Sequence, residues 1–588
     1  LNKEIISSIC QQLEQALQTL KESGALKSRE LPPVYLEHPK IESHGDLSSN
    51  IAMRLSRKEG RSPQELAEQI LDALSPASPA RRYYERAKVE PPGFINFFLS
   101  QESVVLLLQE VLSRSDRYGS SALGEGKTAN VEFVSANPTG PLTVGHGRQA
   151  IIGDVLSNVL SFCKYQITRE YYFNNAGNQM RLLGESVKAR YRELGGEAIE
   201  FPEDGYRGDY IREIAAALRR EHGDSLKASP AKVFQEAAEK AITDDINRTL
   251  ERIGVKFDIH FNEHSLYTSG KIDEVIEKLK QLGHAYLKDG AIWFKASAFG
   301  QKEDRVIVKS DGEPTYRLPD ICYHLDKLNR GYDLIVDVFG ADHHATFPDV
   351  LAGVRALGCD TERIRVLIHQ FVTLKRGGEK VKMSTRRATF VTVDDLLDEL
   401  AAGLRSELAS AYGEDSPQTQ QPVLERMARD AVHFFFNMRK MNSHLDFDLD
   451  LATKCTMENP AYYVQYAHAR ICSIFRVYRG RTDTPPIDFS SVPPDKLKLL
   501  TQEKEGSLIK TLSRFPRLVE EVATKFEGHR LNEYVLQLAT SFQSYYNEHR
   551  VIGDDPDMTL ARLCLVKAVQ IVLRNGLSLL GVSAPESM

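Results

Sequence analysis

Apolar residues near the start of the chain fall at Ile5, Ile6, Ile9, Leu13, Leu17 and Leu20, with charged and amide side chains between them. That spacing lines one face of a helix and predicts an amphipathic helix. A proline-containing loop follows from Leu31 to Pro39. Ser62-Pro63-Gln64-Glu65 then carries a capping signature that opens a second helix. Gly93 to Leu99, with five aromatic or branched apolar residues, reads as a strand. Tyr118 to Lys127, rich in Gly and Ser, reads as a linker.

From about residue 128 the rhythm changes. Asn130 to Ser135 predicts a short strand running into a Gly/Pro-rich turn. Ile151, Ile152, Val155, Leu156, Val159 and Leu160 then recur at helical spacing. Leu334–Phe339 and Val366–Val372 are two further buried strands. The helix between them carries Val350, Leu351, Val354 and Leu357 and stops at Gly358. Strands alternating with helices predict a parallel, doubly wound sheet. The long, charged, mostly helical stretch from about 185 to 300 reads as an insertion into it. Beyond about 395 helical periodicity dominates, broken by polar loops at Gly413–Pro422 and Thr482–Pro494. The expectation is an α/β multidomain chain: an α/β unit over 1–118, the parallel-sheet unit over 119–395, and an all-helical unit over 396–588.

Composition narrows the class. At 588 residues, with 42% hydrophobic and 27% charged side chains, the chain is too long for one core and has the profile of a soluble globular protein. No apolar run approaches the roughly 20 residues that span a bilayer, and Lys3, Glu4, Gln11 and Glu14 make the first segment unlike a signal peptide. Seven scattered cysteines without a CxxC pair argue against a disulfide framework or a zinc ribbon and predict the reducing cytoplasm. The net charge of −6 argues mildly against a nucleic-acid binder. Leu374 to Arg387 is the exception, with Lys375, Arg376, Lys380, Lys382, Arg386 and Arg387 against Glu379 alone. Standing by itself, such a run is a solvated face.

Two segments carry candidate chemistry. The turn Ser135-Ala136-Asn137-Pro138-Thr139-Gly140-Pro141-Leu142-Thr143-Val144-Gly145-His146-Gly147-Arg148 lies between a strand and a helix. Backbone N–H groups and a helix N-terminus then meet at the carboxyl edge of the sheet, where nucleotide phosphates bind. Gly145 lets the backbone approach a ligand, and His146 can donate to a phosphate oxygen; alone, such a turn is as readily structural. Lys382-Met383-Ser384-Thr385-Arg386 lies in the basic loop after the last strand of the sheet. A cationic loop there suits pyrophosphate as it departs.

These segments resemble the "HIGH" and "KMSKS" motifs of class I aminoacyl-tRNA synthetases in order, separation and strand context. Val131 to Leu142, Tyr316-Arg317-Leu318-Pro319-Asp320, Asn459 to Arg470 and the chain end Gly581 to Met588 are similar to the arginyl-tRNA synthetase version. The resemblance runs from near Gly45 to the last residue. Thr143 replaces the first His of HIGH, so an ATP contact is lost or made by a hydroxyl, and Thr385 replaces the second Lys of KMSKS.

The resemblance implies a Rossmann-type catalytic domain between an N-terminal tRNA-elbow domain and a helical anticodon-binding domain. It also implies arginine activation by ATP-Mg²⁺, transfer to tRNA(Arg), and activation that requires bound tRNA. A monomer without a tightly bound metal is expected. His146, Lys382 and Arg386 take the catalytic roles; Thr143, Gly145, Gly340, Asp342, His343, Met383 and Ser384 join His146 and Lys382 around ATP. A guanidinium presents five donors in a planar fork, so its pocket needs carboxylates. By resemblance Glu132, Tyr316 and Asp320 line that pocket and Asn137 holds the amino acid's backbone end. Without the resemblance, Glu132 reads as an edge-strand carboxylate in water, and Tyr316 and Asp320 as an ordinary helix start. Asn96, Tyr463, Tyr466, Arg470 and Met588 are the implied RNA contacts; on spacing alone the tyrosines equally suit packing in a bundle. Asp342-His343-His344 has a metal site as its alternative. Asp446-Phe447-Asp448-Leu449-Asp450 starts like a calcium loop but lacks the Gly and distal Glu, and reads as a solvated acidic turn. A synthetase for another amino acid and a non-catalytic RNA-binding relative are the rival readings.

Overall fold

The computed structural model describes residues 3–39, 41–381, 391–481 and 486–588. Helix α1 (Lys3–Glu22) buries Ile5, Ile9, Leu13 and Leu17, the stripe read from the sequence. β1 (Leu47–Ser49), α2 (Ile51–Glu59), α3 (Pro63–Asp72), β2 (Tyr84–Glu90), β3 (Phe94–Leu99) and α4 (Gln101–Arg114) follow. The strands form an antiparallel sheet in the order β1-β3-β2. Helix α2, which the sequence reading passed over, buries Ile51, Ala52 and Leu55. Ser62 makes no side-chain cap to α3; Pro63 at the first helical positions sets that start instead. The stretch read as a linker is packed: Tyr118 is buried and its hydroxyl donates to the carbonyl of Leu512 at 3.1 Å.

β4 (Thr128–Glu132), α5 (Val144–Phe162) and β5 (Gln166–Phe173) begin the parallel sheet. Its path leaves through α6 (Gly177–Glu193), α7 (Asp209–His222) and α8 (Ala231–Arg252), then returns for β6 (Ile259–Asn262). A second excursion holds α9 (His264–Thr268), α10 (Lys271–Gln281) and an antiparallel sheet of β7 (Ala285–Lys288), β8 (Ala291–Phe294) and β9 (Arg305–Val308). α11 (Arg317–Asn329), β10 (Leu334–Gly340), α12 (Phe347–Ala356) and β11 (Ile364–His369) complete the unit. The five strands run parallel in the order β11-β10-β4-β5-β6, with β4 in the centre. Residues 185–300 are therefore not one insertion, because β6 pairs with β5 as the sheet's edge. Four residues, Ile-His-Phe-Asn, were too short a strand signal to see.

The segment Val366–Val372 also divides. β11 ends at His369, and β12 (Val372–Arg376) starts a second sheet with β13 (Glu379–Lys380), after Phe371 stands 66% exposed. Helices then dominate: α13 (Val393–Tyr412), α14 (Gln421–Asn437), and after β14 (Leu445–Asp448) come α15 (Leu449–Thr453), α16 (Pro460–Arg479), α17 (Pro494–Leu497), α18 (Glu503–Ser513), α19 (Phe515–Lys525), α20 (His529–Glu548) and α21 (Pro556–Leu579). Strand β14 lies parallel to β12 and corrects the reading of Asp446–Asp450 as a solvated turn. Phe447 is buried, Asp446 pairs with Lys375 at 2.7 Å, Asp448 caps α15, and Asp450 accepts the Gly377 N–H at 2.6 Å. The alternation of polar and apolar residues there is a strand period. Among the described residues no helix is long and apolar enough to cross a membrane.

Candidate active site and RNA-facing surface

The chain leaves β4 through Val134 and Ser135, both at positive φ, and turns back into α5. Gly153 lets α5 lie on that turn: a Cβ there would come within 2.1 Å of the Phe133 ring. Thr143 is the N-cap of α5, and its hydroxyl faces the His146 N–H while His146 Nδ1 accepts the Thr143 N–H at 3.2 Å. This reciprocal box places the proton of a neutral imidazole on Nε2. Burial lowers the basicity of His146, with Asp342 opposing it, so the ring is a neutral donor at physiological pH. The Thr143 hydroxyl that was left open as an ATP contact is thus engaged within the turn.

A second helix start lies beside the first. Thr392 caps α13 in another reciprocal box, and Thr143 and Thr392 form an antiparallel bridge. The Val144 N–H donates to Val391 O at 3.1 Å and the Val393 N–H to Leu142 O at 2.9 Å. Two helix N-termini therefore lie side by side, which favours an anion beside them. No side chain crowds Gly145, whose nearest neighbour to an added Cβ is Thr143 Oγ1 at 3.5 Å. Gly340 ends β10 opposite His369 of β11, and the Asp342 and His343 that follow occupy a short 3₁₀ turn. His343 stacks on Phe339 at 4.8 Å. The metal alternative for this run finds no support: among the described residues, the group that brings three ligand atoms together is Glu132, His324 and Asp337. Lys382, Met383, Ser384, Thr385 and Arg386 lie outside the described residues.

Sequence reasoning missed two neighbours. Arg148 is fully buried and donates to the carbonyls of Gln370, Ser443 and Lys440 at 2.7, 2.9 and 3.1 Å, fastening α5 to the crossing from β11 to β12. His369 is pushed down to about 4 by burial, with Arg148 and His146 adding to it, so it too is neutral. Both would have needed knowledge of the strand break at Gln370.

The acidic residues converge on the other side of β4. Glu132 is 2% exposed on the central strand, which corrects the picture of a solvated edge carboxylate. Its Oε1 accepts the Ser135 hydroxyl at 2.9 Å and its Oε2 accepts the Lys327 ammonium. Asp320 lies in the first turn of α11 and is pushed up to about 7, by burial first and then by Glu263 and Glu132 against the pull of His324 and Lys327. Glu263, directly after β6, accepts Tyr172 Oη at 2.5 Å and Asn174 Nδ2 at 2.7 Å, and burial raises it as well. Three carboxylates with raised affinity for protons surround one place, an arrangement suited to a cation. Asn137 sits at the rim, where its Oδ1 accepts the Asn174 N–H at 2.9 Å and its Nδ2 donates to Gln179 at 3.1 Å. Tyr316, just before α11, stands 83% exposed and does not close over the group. Glu263 was not legible because β6 was not.

On α16 the structure brings Tyr466 and Arg470 together with two residues the spacing did not single out. Tyr462 stacks on Tyr466 at 6.2 Å, and the Arg470 guanidinium lies 5.7 Å from the Tyr466 ring and 5.1 Å from that of Tyr546 on α20. Tyr463 is half-buried against the core, so the bundle-packing alternative holds in part for it. The chain end runs along α16: Gln465 donates to Ser583 O at 3.0 Å, His468 meets Pro585 O at 2.9 Å and Arg476 donates to Glu586 O at 2.9 Å. Asn96 does not fit its expected role. It lies in the middle strand β3, opposite Ser48 and Lys88, and is 1% exposed, so it is beneath the surface rather than on it.

Comparison with known proteins agrees with this geometry. Residues 4–99 match the arginyl tRNA synthetase N-terminal domain, 107–411 the class I (R) tRNA synthetase catalytic domain, and 464–588 the DALR anticodon binding domain. An arginine–tRNA ligase of Desulfotalea psychrophila is 46% identical over 585 residues, covering 99% of this chain and 100% of that protein. One from Bacillus subtilis is 42% identical, covering 96% of each. The crystal structures of the Thermus thermophilus and Plasmodium falciparum arginyl-tRNA synthetases share the fold, each with a TM-score of 0.76, at 22% and 19% identity and 98% and 99% coverage of this chain. The chain belongs to the arginyl-tRNA synthetase family.

Proposed function

We infer that this chain is an arginine–tRNA ligase that activates L-arginine with ATP and esterifies it to the 3′-terminal adenosine of tRNA(Arg). The observation that carries the choice of amino acid is the convergence of Glu132, Glu263 and Asp320, because an apolar amino acid would gain nothing from three carboxylates held largely away from water. Asp320 and Glu132 are assigned to the guanidinium, with Tyr316 at the mouth of the pocket and Asn137 at the backbone end. His146, Thr143 and Gly145 with the paired helix starts hold the ATP phosphates, and Gly340, Asp342 and His343 the adenosine side. Lys382, Met383, Ser384 and Arg386 follow the departing pyrophosphate.

In the first step the arginine carboxylate attacks the α-phosphorus in line and pyrophosphate leaves. In the second, a ribose hydroxyl of the terminal adenosine attacks the adenylate carbonyl and AMP leaves. No protein nucleophile is required; positioning and fixed dipoles supply the catalysis. ATP enters as its Mg²⁺ complex, and the protein acts as a cytoplasmic monomer. Its regions are a tRNA-elbow domain (1–118), the catalytic domain (119–395) and the anticodon-binding domain (396–588). Tyr463, Tyr466, Arg470 and Met588 face the anticodon loop.

ATP–pyrophosphate exchange with arginine, with and without tRNA(Arg), tests the reading. Exchange with arginine and tRNA, and none with lysine or glutamate, is expected; exchange with another amino acid would sink it. Two further results follow. A neutral Asp320 cannot pair with a guanidinium, and burial with Glu263 and Glu132 raises this group to about 7. The KM for arginine therefore falls about tenfold from pH 6 to pH 8 and is flat above; a flat profile across that range would remove Asp320 from the pocket. Arg470→Ala removes the cation over two tyrosine rings. The KM for tRNA is expected to rise about tenfold, the scale of a lost base-stacking contact, with the KM for arginine unchanged.

A further inference from the structure

Lys327, in the last turn of α11, is wholly buried, and an ammonium in that position demands partners. Its Nζ donates to Glu132 Oε2 and, at 2.7 Å, to Asp337 Oδ1, and it lies 4.3 Å from the centre of the Tyr323 ring. Glu132, His324 and Asp337 bring their ligand atoms within 4.8 Å of one another as a metal site would, and the ammonium takes the cation's place. His324 extends the chain: its Nε2 meets Asp337 Oδ2 at 3.1 Å and its Nδ1 meets the Asp320 carbonyl at 2.8 Å. Both ring nitrogens face oxygens, so an imidazolium satisfies both; burial opposes that charge and Asp337 more than restores it. A continuous line thus joins the backbone of Asp320 to His324, Asp337, Lys327, Glu132 and Ser135.

A second set of contacts also holds α11 to the sheet. Glu170 of β5 accepts both Arg330 guanidinium nitrogens at 2.8 Å, the Tyr323 hydroxyl at 2.9 Å and Asn130 Nδ2 at 2.5 Å. That anchor leaves Lys327 a separate purpose.

We propose that Lys327 is a positioning and specificity-determining residue for arginine. It keeps Glu132 ionised at a fixed height under the guanidinium, and through Asp337 and His324 keeps it in register with Asp320. The proposal rests on the assignment of Glu132 and Asp320 to the arginine pocket. The charged and titratable groups around Lys327 are Glu132 from β4, Glu170 and Tyr172 from β5, Asp337 from β10, Glu263 after β6, and Asp320, Tyr323, His324 and Arg330 from α11. Lys327→Met would leave Glu132 and Asp337 without their shared cation. Asp337 retains His324, so the proton goes to Glu132, which burial and Asp337 already push up.

The test is steady-state aminoacylation by the full chain, with arginine and ATP varied in turn at pH 7 and pH 9. K327M is expected to raise the KM for arginine about tenfold at pH 7, one charged partner's worth, with the KM for ATP within about twofold. At pH 9 a larger fraction of Glu132 is ionised than at pH 7, so the rise in the arginine KM is expected to shrink there, while the parent enzyme shows no change between pH 8 and pH 9. A disturbed fold would instead move both KM values or kcat without recovery at high pH, and that result overturns the proposal, as does an unchanged arginine KM. If K327M cannot be recovered folded, Asp337→Asn decides, since it unlinks Lys327 from His324; a rise of about threefold or more in the arginine KM alone supports the proposal and no rise overturns it. Glu132→Gln runs in parallel. An unchanged arginine KM there refutes the pocket assignment itself, whereas a raised KM with a normal K327M refutes only the positioning role.

Discussion

Asp320→Asn is expected to lower kcat/KM for arginine by about two orders of magnitude, with the KM for ATP unaltered. The side chains are nearly the same shape, so the change isolates charge. Asp320 sits where burial, Glu263 and Glu132 all favour its protonated form, and an arriving guanidinium reverses that preference. Asparagine removes the charge and turns an amide N–H₂ toward the donors of the guanidinium. Losing one partner of a desolvated charge pair costs about 2–5 kcal/mol, which brackets the expected effect. The arginine dependence on pH near 7 should vanish in the same variant, because the group that titrates is gone. Aminoacylation kinetics measure both, and an arginine KM within about threefold of the parent would show that Asp320 does not meet the substrate.

His146→Ala is expected to reduce kcat of the activation step by about 10²–10³-fold, the loss seen when one fixed donor to a developing charge is removed. The Thr143 capping box holds Nδ1 as an acceptor and so commits the remaining proton to Nε2. A donor fixed in that way needs no reorganisation as charge gathers on the phosphate oxygens. Alanine also removes the Nδ1 half of the box, and a helix cap of this kind contributes about 1 kcal/mol. His146→Asn retains a short acceptor for the Thr143 N–H and separates the two effects: stability near the parent with activity still depressed identifies the lost donor. Single-turnover formation of the adenylate is the measurement. A rate within about threefold of the parent in both variants would remove His146 from the chemistry.

What could be read from the sequence was local. The turn from Ser135 to Arg148 declared itself because a strand, a Gly/Pro turn and a helix follow one another directly, and the structure puts α5 at Val144 as that order requires. Tyr316 and Asp320 were legible as one helical turn. Their partners were not. Glu263 reaches the pocket only because a four-residue strand adds to the edge of the sheet, and Lys327 only because α11 crosses behind β4 and β10. A buried Lys is indistinguishable in sequence from a solvated one until the carboxylates around it are located. Val366 to Val372 looked like one strand because apolar residues flank His369 and Gln370 on both sides, yet the Gln370 N–H bonds to Met441 rather than to the sheet. Asn96 came in only through the resemblance, as an RNA contact, and the antiparallel sheet folds it inside.

The pairing of β12 with β14 has a consequence for how the enzyme can be taken apart. The hairpin that leads into the basic loop takes one of its two neighbours from residues 445–448, and Asp446 and Asp450 hold its Lys375 and its turn at Gly377. A fragment ending near residue 395 would contain every motif of the activation reaction and still lack one wall of the hairpin that carries the last of them. Such a fragment is expected to be no miniature synthetase, and adding the missing part as a separate polypeptide would have to restore a strand, not dock a finished module. The residues after α13 thus contribute backbone to the activation unit, so recombination between relatives is expected to be tolerated at junctions after β14 and not before it.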